Sequence, residues 1–206
     1  MNRTIILVFL VLIIGGFFYL ILGPRPTSSD NPGNPFVRPK PKMTFGPRDL
    51  ADSIYTVIST HQEIYHQNII QRLVDEEKVV RASPNWKEEK ALPVHSQVAQ
   101  MVAESIQSRG AEFSYTFRSL HPVNKRHAVE TPLELTALEY QQKHPADNYY
   151  AEEMLGGRRY FTAIYPQRAI FQGCVNCHNR LPESPRHDYK TNDVLGALVI
   201  RVPLEL

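Results

Sequence analysis

The sequence predicts an α+β domain, an antiparallel sheet with its helices on one side. Three observations carry this. Apolar residues recur at three- and four-residue steps from about Asp49 to Val80, the pattern of a long amphipathic helix. Phe113, Tyr115 and Phe117 alternate with Ser114, Thr116 and Arg118, the period of a half-buried strand. Gly156-Gly157 joins two strand-like runs, Tyr149–Leu155 and Arg158–Tyr165, as a hairpin.

Ahead of that domain, residues 4–22 form one apolar run without a charge, long enough to span a bilayer as a helix. A cleaved signal peptide is the rival, but its apolar core is shorter and no small-x-small cleavage site precedes Gly23-Pro24. Residues 1–23 are therefore expected to be an uncleaved transmembrane anchor. Residues 24–47 hold seven of the sixteen prolines among Ser, Asn, Gly and Lys, an extended tether that cannot pack a core. Residues 48–206 remain for one folded domain. With 23 basic against 21 acidic side chains the charge balance is near neutral, and nucleic acid is not an expected partner.

Within the domain, the first helix carries Leu50, Ile54, Val57, Ile58, His61, Tyr65, Ile69 and Leu73 on one face. His61 falls on that apolar face and His66 off it, towards water. Ser83-Pro84-Asn85 breaks the helix, and the charged stretch around Trp86 reads as loop. A second helix spans about Pro93 to Arg109, with Pro93 in its first turn and Gly110 as its stop. Its apolar face holds Val94, Val98, Met101, Val102 and Ile106, with His95 at one margin. After the Phe113–Phe117 strand and a turn at His121-Pro122-Val123-Asn124, Thr131-Pro132-Leu133-Glu134 opens a third helix, running to about Lys143. Thr131 is the cap, Pro132 the first position and Glu134 the return partner of a capping box. The hairpin follows, then a loop, then a last strand over Val194–Pro203.

That loop holds Cys174-Val175-Asn176-Cys177-His178, a C-x-x-C-H pattern and the chain's two cysteines. It is the pattern for covalent attachment of a c-type haem. Two thiols three positions apart can add to the two vinyl groups along one side of a porphyrin, and the next histidine falls under the iron. A thioredoxin-like redox pair, half of a zinc site and a small structural disulfide are the other readings. The first belongs at a helix start inside a βαβ pattern, and the second needs another Cys/His pair that the sequence lacks. Cationic residues after the apolar run (Arg25, Arg38, Lys40, Lys42, Arg48) outnumber Arg3 before it, which by charge alone would keep the domain cytoplasmic. Bacterial c-type haem is attached on the far side of the membrane. The expectation is a single-pass inner-membrane protein with its C-terminal domain in the periplasm.

Four stretches resemble the haem-c-binding, PAS-like sensor domain family. They are Leu92-Pro93; Ser119-Leu120-His121-Pro122-Val123-Asn124-Lys125 followed by Thr131-Pro132-Leu133-Glu134; Tyr160-Phe161-Thr162-Ala163-Ile164-Tyr165-Pro166 leading into Cys174–Asn179; and Asp193-Val194-Leu195-Gly196-Ala197-Leu198-Val199-Ile200. The resemblance runs from the first helix to the C-terminus. It implies a PAS-like antiparallel sheet with a long N-terminal helix and one covalent haem c. In part of the family the second axial ligand comes from that helix and can be a cysteine. No cysteine stands there in this chain, and His61 is placed nearest that position. The family's domains often precede a kinase, cyclase or chemotaxis output. No such pattern follows the last strand here, so action through a separate partner is expected.

The expected site is thus Cys174 and Cys177 as thioether anchors, His178 as proximal ligand and His61 as distal ligand. His95 and His121 are its rivals, Met101 and Met154 a His/Met alternative, and an open position the last. Arg158, Arg159, Lys125 and Arg126 are candidate partners for the haem propionates. The functional expectation is a membrane-anchored monohaem c-type cytochrome working in electron transfer or redox sensing with a redox partner. The alternatives are a haem-based sensor of CO, NO or O2 that signals through another protein, and a non-haem domain with a structural disulfide. No nucleophile–base or H-E-x-x-H pattern is present, so no enzyme is expected beyond peroxidase-like haem chemistry.

Overall fold

The computed structural model describes residues 45–205. Helix α1 (Pro47–Tyr65) starts at Gly46, whose N–H donates to Asp49 Oδ2 at 2.8 Å. Pro47 stands at its first turn, where a missing N–H leaves no bond unmade. The helix continues directly into a wider π-helical stretch, His66–Glu76. There follow α2 (Trp86–Glu89), α3 (His95–Ser108), β1 (Ser114–Arg118), a 3-10 turn (Lys125–His127), α4 (Pro132–Lys143) and β2 (Tyr149–Leu155). The chain ends with β3 (Arg158–Arg168), α5 (Gln172–Arg180) and β4 (Val194–Pro203). The expected anchor over residues 1–23, and the tether up to residue 44, lie outside the described residues. Among the described residues no helix is long and apolar enough to cross a membrane.

The four strands form one antiparallel sheet in the order β1-β4-β3-β2, so the fold is α+β as expected. Gly156 and Gly157, at φ 56° and 81°, close the β2–β3 hairpin in the left-handed conformation that a two-residue turn requires. β3 runs past the expected end at Tyr165 to Arg168, and the pairing with β4 slips at Gln167/Arg168. That bulge turns the strand ends beside the cavity described below.

Helices cover both faces of the sheet, which corrects the expected one-sided packing. Tyr115, Phe117, Ala163, Tyr165, Leu198, Ile200 and Val202 meet Ala51 and Ile58 of α1 and Ala99 and Ala103 of α3. Ile164, Ala197 and Val199 meet Ala137 and Leu138 of α4 on the other face. The cause is β4, whose residues are apolar on both sides and must be covered twice. Alanines at the α1 and α3 contacts let those helices approach closely. Buried hydroxyls tie the layers: Tyr115 donates to Ala99 O at 2.7 Å, and Tyr165 and Tyr150 donate to Asp52 Oδ1 at 2.7 and 2.9 Å.

The capping box of α4 is present, with Glu134 N–H donating to Thr131 Oγ1 and Thr131 N–H donating to Glu134 Oε2, both at 3.2 Å. Glu134 does more than cap. It is fully buried, and its Oε1 accepts from Arg118 Nε at 3.0 Å and Arg201 Nη2 at 2.9 Å. Arg118 also pairs with Glu130 and donates to Arg126 O at 2.9 Å, while Arg201 Nε donates to Glu153 Oε1 at 2.8 Å. This network joins α4 to β1, β2 and β4.

Candidate functional site

The C-x-x-C-H motif, read from the sequence as loop, is helix α5. Nine residues including Gly173 make a marginal helix in isolation. Tertiary anchors hold it in place. Val175 is buried, Asn179 Nδ2 donates to Tyr189 O at 2.9 Å, and Tyr189 N–H donates back to Asn179 Oδ1 at 2.9 Å. With that side fixed, positions 174, 177 and 178, one turn apart, share the other face. Cys174, Cys177 and His178 all line a cavity of about 610 Å³ bounded by α1, the start of α3, the ends of β1 and β4, and α5. The volume suits an organic cofactor.

Five of the eight histidines line this cavity: His66, His95, His121, His127 and His178. The His66 ring stacks on Phe171 at 4.0 Å and 16° and meets the edge of His95 at 6.1 Å. Its Cε1 lies 3.7 Å from where a Cβ of Gly173 would stand, so α1 and α5 meet there. Tyr65 OH donates to Pro93 O at 2.9 Å, which holds the lead-in to α3, and so His95, beside α1. His178 packs edge-on against Tyr189 at 5.6 Å, and its Nδ1 is buried without a partner.

Burial pushes the imidazole of His178 below its ordinary range, and does the same to His66 against an opposing pull from Asp75. His95 is pushed down to about 4, first by burial and then by the facing His66 and His178. All three are neutral at pH 7, the form in which imidazole ligates a metal. Burial pushes both thiols up, and Cys174 adds to the shift of Cys177. A thioredoxin-type pair needs the reverse, a thiolate stabilised at a helix start.

His61 does not join this site. It is exposed and absent from the cavity wall, while His66 is 6% exposed and lines it. The expected face of α1 is corrected accordingly: Val57 and Ile64 are 70% and 55% exposed, and Gln62 is buried. The inward stripe steps by four through Ile58, Gln62 and His66, which are buried, to Ile70 and Val74, which are half-buried on the cavity wall. Such steps drift by about 40° each in an α-helix. The wider stretch from His66 turns less per residue and keeps the stripe on the cavity. An unbroken series of four-residue steps was the signal for His66.

The other expected residues divide. His95 and His121 are on the wall, whereas Met101 and Met154 are 40% and 60% exposed and off it. Arg158 and Arg159 stand at the hairpin end and engage Glu205, with Arg158 also near Glu112. Lys125 and Arg126 are also off the wall. The cations that do line the cavity are Arg118, committed to Glu130 and Glu134, and Arg168 and Arg180. Neither Arg168 nor Gln62 drew attention from the sequence, because nothing local marks them.

A family model described as Tll0287-like matches residues 46–203. The chain belongs to the Tll0287-like family. The family's span runs from the start of α1 to the end of β4 and takes in every residue of the cavity wall. Among solved structures, that of the cyanobacterial haem-protein Tll0287 is similar, at 14% identity and a TM-score of 0.48, covering 77% of this chain and 97% of that one. No curated protein matches the chain.

Proposed function

We propose that this domain holds one covalent haem c, with Cys174 and Cys177 as thioether anchors and His178 as an axial ligand. One observation carries the reading. Two free thiols and the adjoining neutral imidazole share one face of α5 and open on a single cavity. The residues fit the group. His178 keeps a buried ring nitrogen that the protein itself leaves unpartnered, and further neutral imidazoles share its cavity. The family to which the chain belongs takes its name from Tll0287, a cyanobacterial haem-protein, which agrees with this reading. Haem, when bound, supplies a one-electron iron couple and a coordination position for small ligands. The chain's part is to fix it by α5, to exclude water with Phe117, Val94 and Leu195, and to offer a second imidazole. That second ligand is His66 or His95, and two imidazoles favour a lower potential than a His/Met pair.

The role that follows is electron transfer or redox sensing by a periplasmic domain anchored in the inner membrane, exchanging electrons with a redox partner and performing no enzymatic reaction. A PAS-like sensor is the second reading, favoured by the pairing of His66 and His95. Two histidines beside one coordination position can exchange, which would let CO or NO displace one and report through a partner.

The test is the absorption spectrum of the chain made with c-type haem maturation. A haem that survives denaturation and is lost in Cys174→Ser/Cys177→Ser supports covalent attachment. A low-spin spectrum indifferent to CO, turning CO-sensitive in His66→Ala or His95→Ala, supports the electron-transfer reading. CO binding by the wild type favours the sensor. A chain that emerges from haem maturation with no covalent haem sinks the proposal.

A further inference from the structure

Four buried side-chain polar atoms among the described residues have no hydrogen-bond partner, and two of them sit on rings that touch: Nδ1 of His178 and the hydroxyl of Tyr189. The rings meet edge to face, with centroids 5.6 Å apart at 81°. Tyr189 is 3% exposed. Buried polar groups are nearly always paired, so an orphan hydroxyl here needs a reason, since phenylalanine would fill the same space without stranding it. Both atoms are sealed from solvent, and no water or free ligand reaches them. A partner for either must come from the chain itself.

Tyr189 is held firmly in the loop between α5 and β4. Its backbone N–H and C=O exchange two bonds of 2.9 Å with the side-chain amide of Asn179, the residue after His178. Arg186 lies over its ring at 4.4 Å and is itself tied to Asp188 Oδ1 at 2.6 Å and Asp193 Oδ2 at 3.1 Å. The phenol is thereby fixed to the same turn of α5 that carries the imidazole.

The haem reading above changes what Nδ1 requires. A neutral imidazole carries one proton. Because Nδ1 is sealed, a group in the cavity meets Nε2, and coordination there leaves the proton on Nδ1 as a donor. Ligating histidines almost always give that proton to an acceptor, which fixes the ring and makes it a stronger ligand. A phenol oxygen accepts as well as donates.

We propose, resting on that reading, that the Tyr189 hydroxyl accepts the Nδ1 proton of haem-bound His178. Tyr189 is then a positioning residue. A small turn of the imidazole about its Cβ–Cγ bond pairs the two orphans, sets the plane of the ring under the iron and holds the potential down by strengthening the ligand.

The experiment is a redox titration of the haem-loaded full chain, followed by its absorption spectrum, for wild type, Tyr189→Phe and Tyr115→Phe. Tyr115 is the control, a buried hydroxyl bonded to Ala99 O at 2.7 Å and off the cavity wall. Tyr189→Phe should raise the potential, while Tyr115→Phe should lower the melting temperature and leave the potential unchanged. An unchanged potential in Tyr189→Phe, whatever its melting temperature, or an equal shift in both variants, would overturn the role. The wild type gives a second reading without a variant. Its oxidised-minus-reduced infrared spectrum should contain a tyrosine C–O band, identified with ring-labelled tyrosine, and a spectrum without one would overturn the pairing. A wild-type chain that carries no covalent haem sinks the haem reading and this inference with it. A haem-loaded chain whose potential ignores Tyr189 sinks this inference alone.

Discussion

Replacing Glu134 by Gln tests the idea that a buried carboxylate holds the sheet and α4 together. Glu134 is fully buried and accepts four bonds: Arg118 Nε at 3.0 Å, Arg201 Nη2 at 2.9 Å, Glu130 N–H at 2.7 Å and Thr131 N–H at 3.2 Å. A glutamine has one acceptor oxygen, so its NH2 must confront either both arginines or both backbone donors. Removing one member of a buried pair costs about 3–5 kcal/mol. Each arginine here keeps a second carboxylate, Glu130 or Glu153, so the lower end applies, about 3 kcal/mol. For a domain of this size that lowers Tm by roughly 6–12 °C. Glu130→Gln is the control. It pairs with the same Arg118, but its side chain is 64% exposed, and a screened pair is worth about 1 kcal/mol or less.

The pH dependence follows with a definite sign. Burial pushes the Glu134 carboxyl up, but the Glu130 N–H, Arg201 and Arg118 outweigh it and hold it below the usual range. A depressed folded value contributes stability above the unfolded carboxylate pKa, lost as pH falls through the folded value. Urea melts of wild type and Glu134→Gln should therefore differ most near neutrality and converge in acid. Equal costs for Glu134→Gln and Glu130→Gln, or a gap that does not shrink in acid, would refute the reasoning.

Gly196→Ala should cost about 2 kcal/mol in urea melts, since its Cβ would stand 2.5 Å from Arg118 O, a backbone atom that cannot swing away. Thr131→Ala should cost about 1 kcal/mol by removing the side-chain acceptor at the start of α4, and Thr131→Ser should restore it. His61→Ala, Met101→Leu and Met154→Leu should leave the haem spectrum and its response to CO unchanged, because none of the three lines the cavity. A change of spin state in any of them would place that residue on the iron and refute the cavity assignment.

What the sequence determined was local. Thr131-Pro132-Leu133-Glu134 forms its capping box from four neighbours, Gly156-Gly157 makes its turn from two, and C-x-x-C-H places two thiols and an imidazole on one face once the segment is helical. These features need no knowledge of what lies across the molecule. The apolar run over residues 4–22 and the proline-rich stretch after it are expectations of the same local kind, and they lie outside the described residues. Tertiary structure decided the rest. Whether His61 or His66 faces the cavity depends on where α1 widens and on the sheet it packs against, and apolar Val57 and Ile64 point outward despite their composition. Helices came to both faces of the sheet because β4 is buried on both, a demand visible only once β4 sits between β1 and β3. The Arg118–Glu134–Arg201 network brings together residues far apart in the chain. Charge and hydrogen-bonding partners of that kind are chosen by the fold, since an isolated polar residue carries no signal of what it will meet when buried.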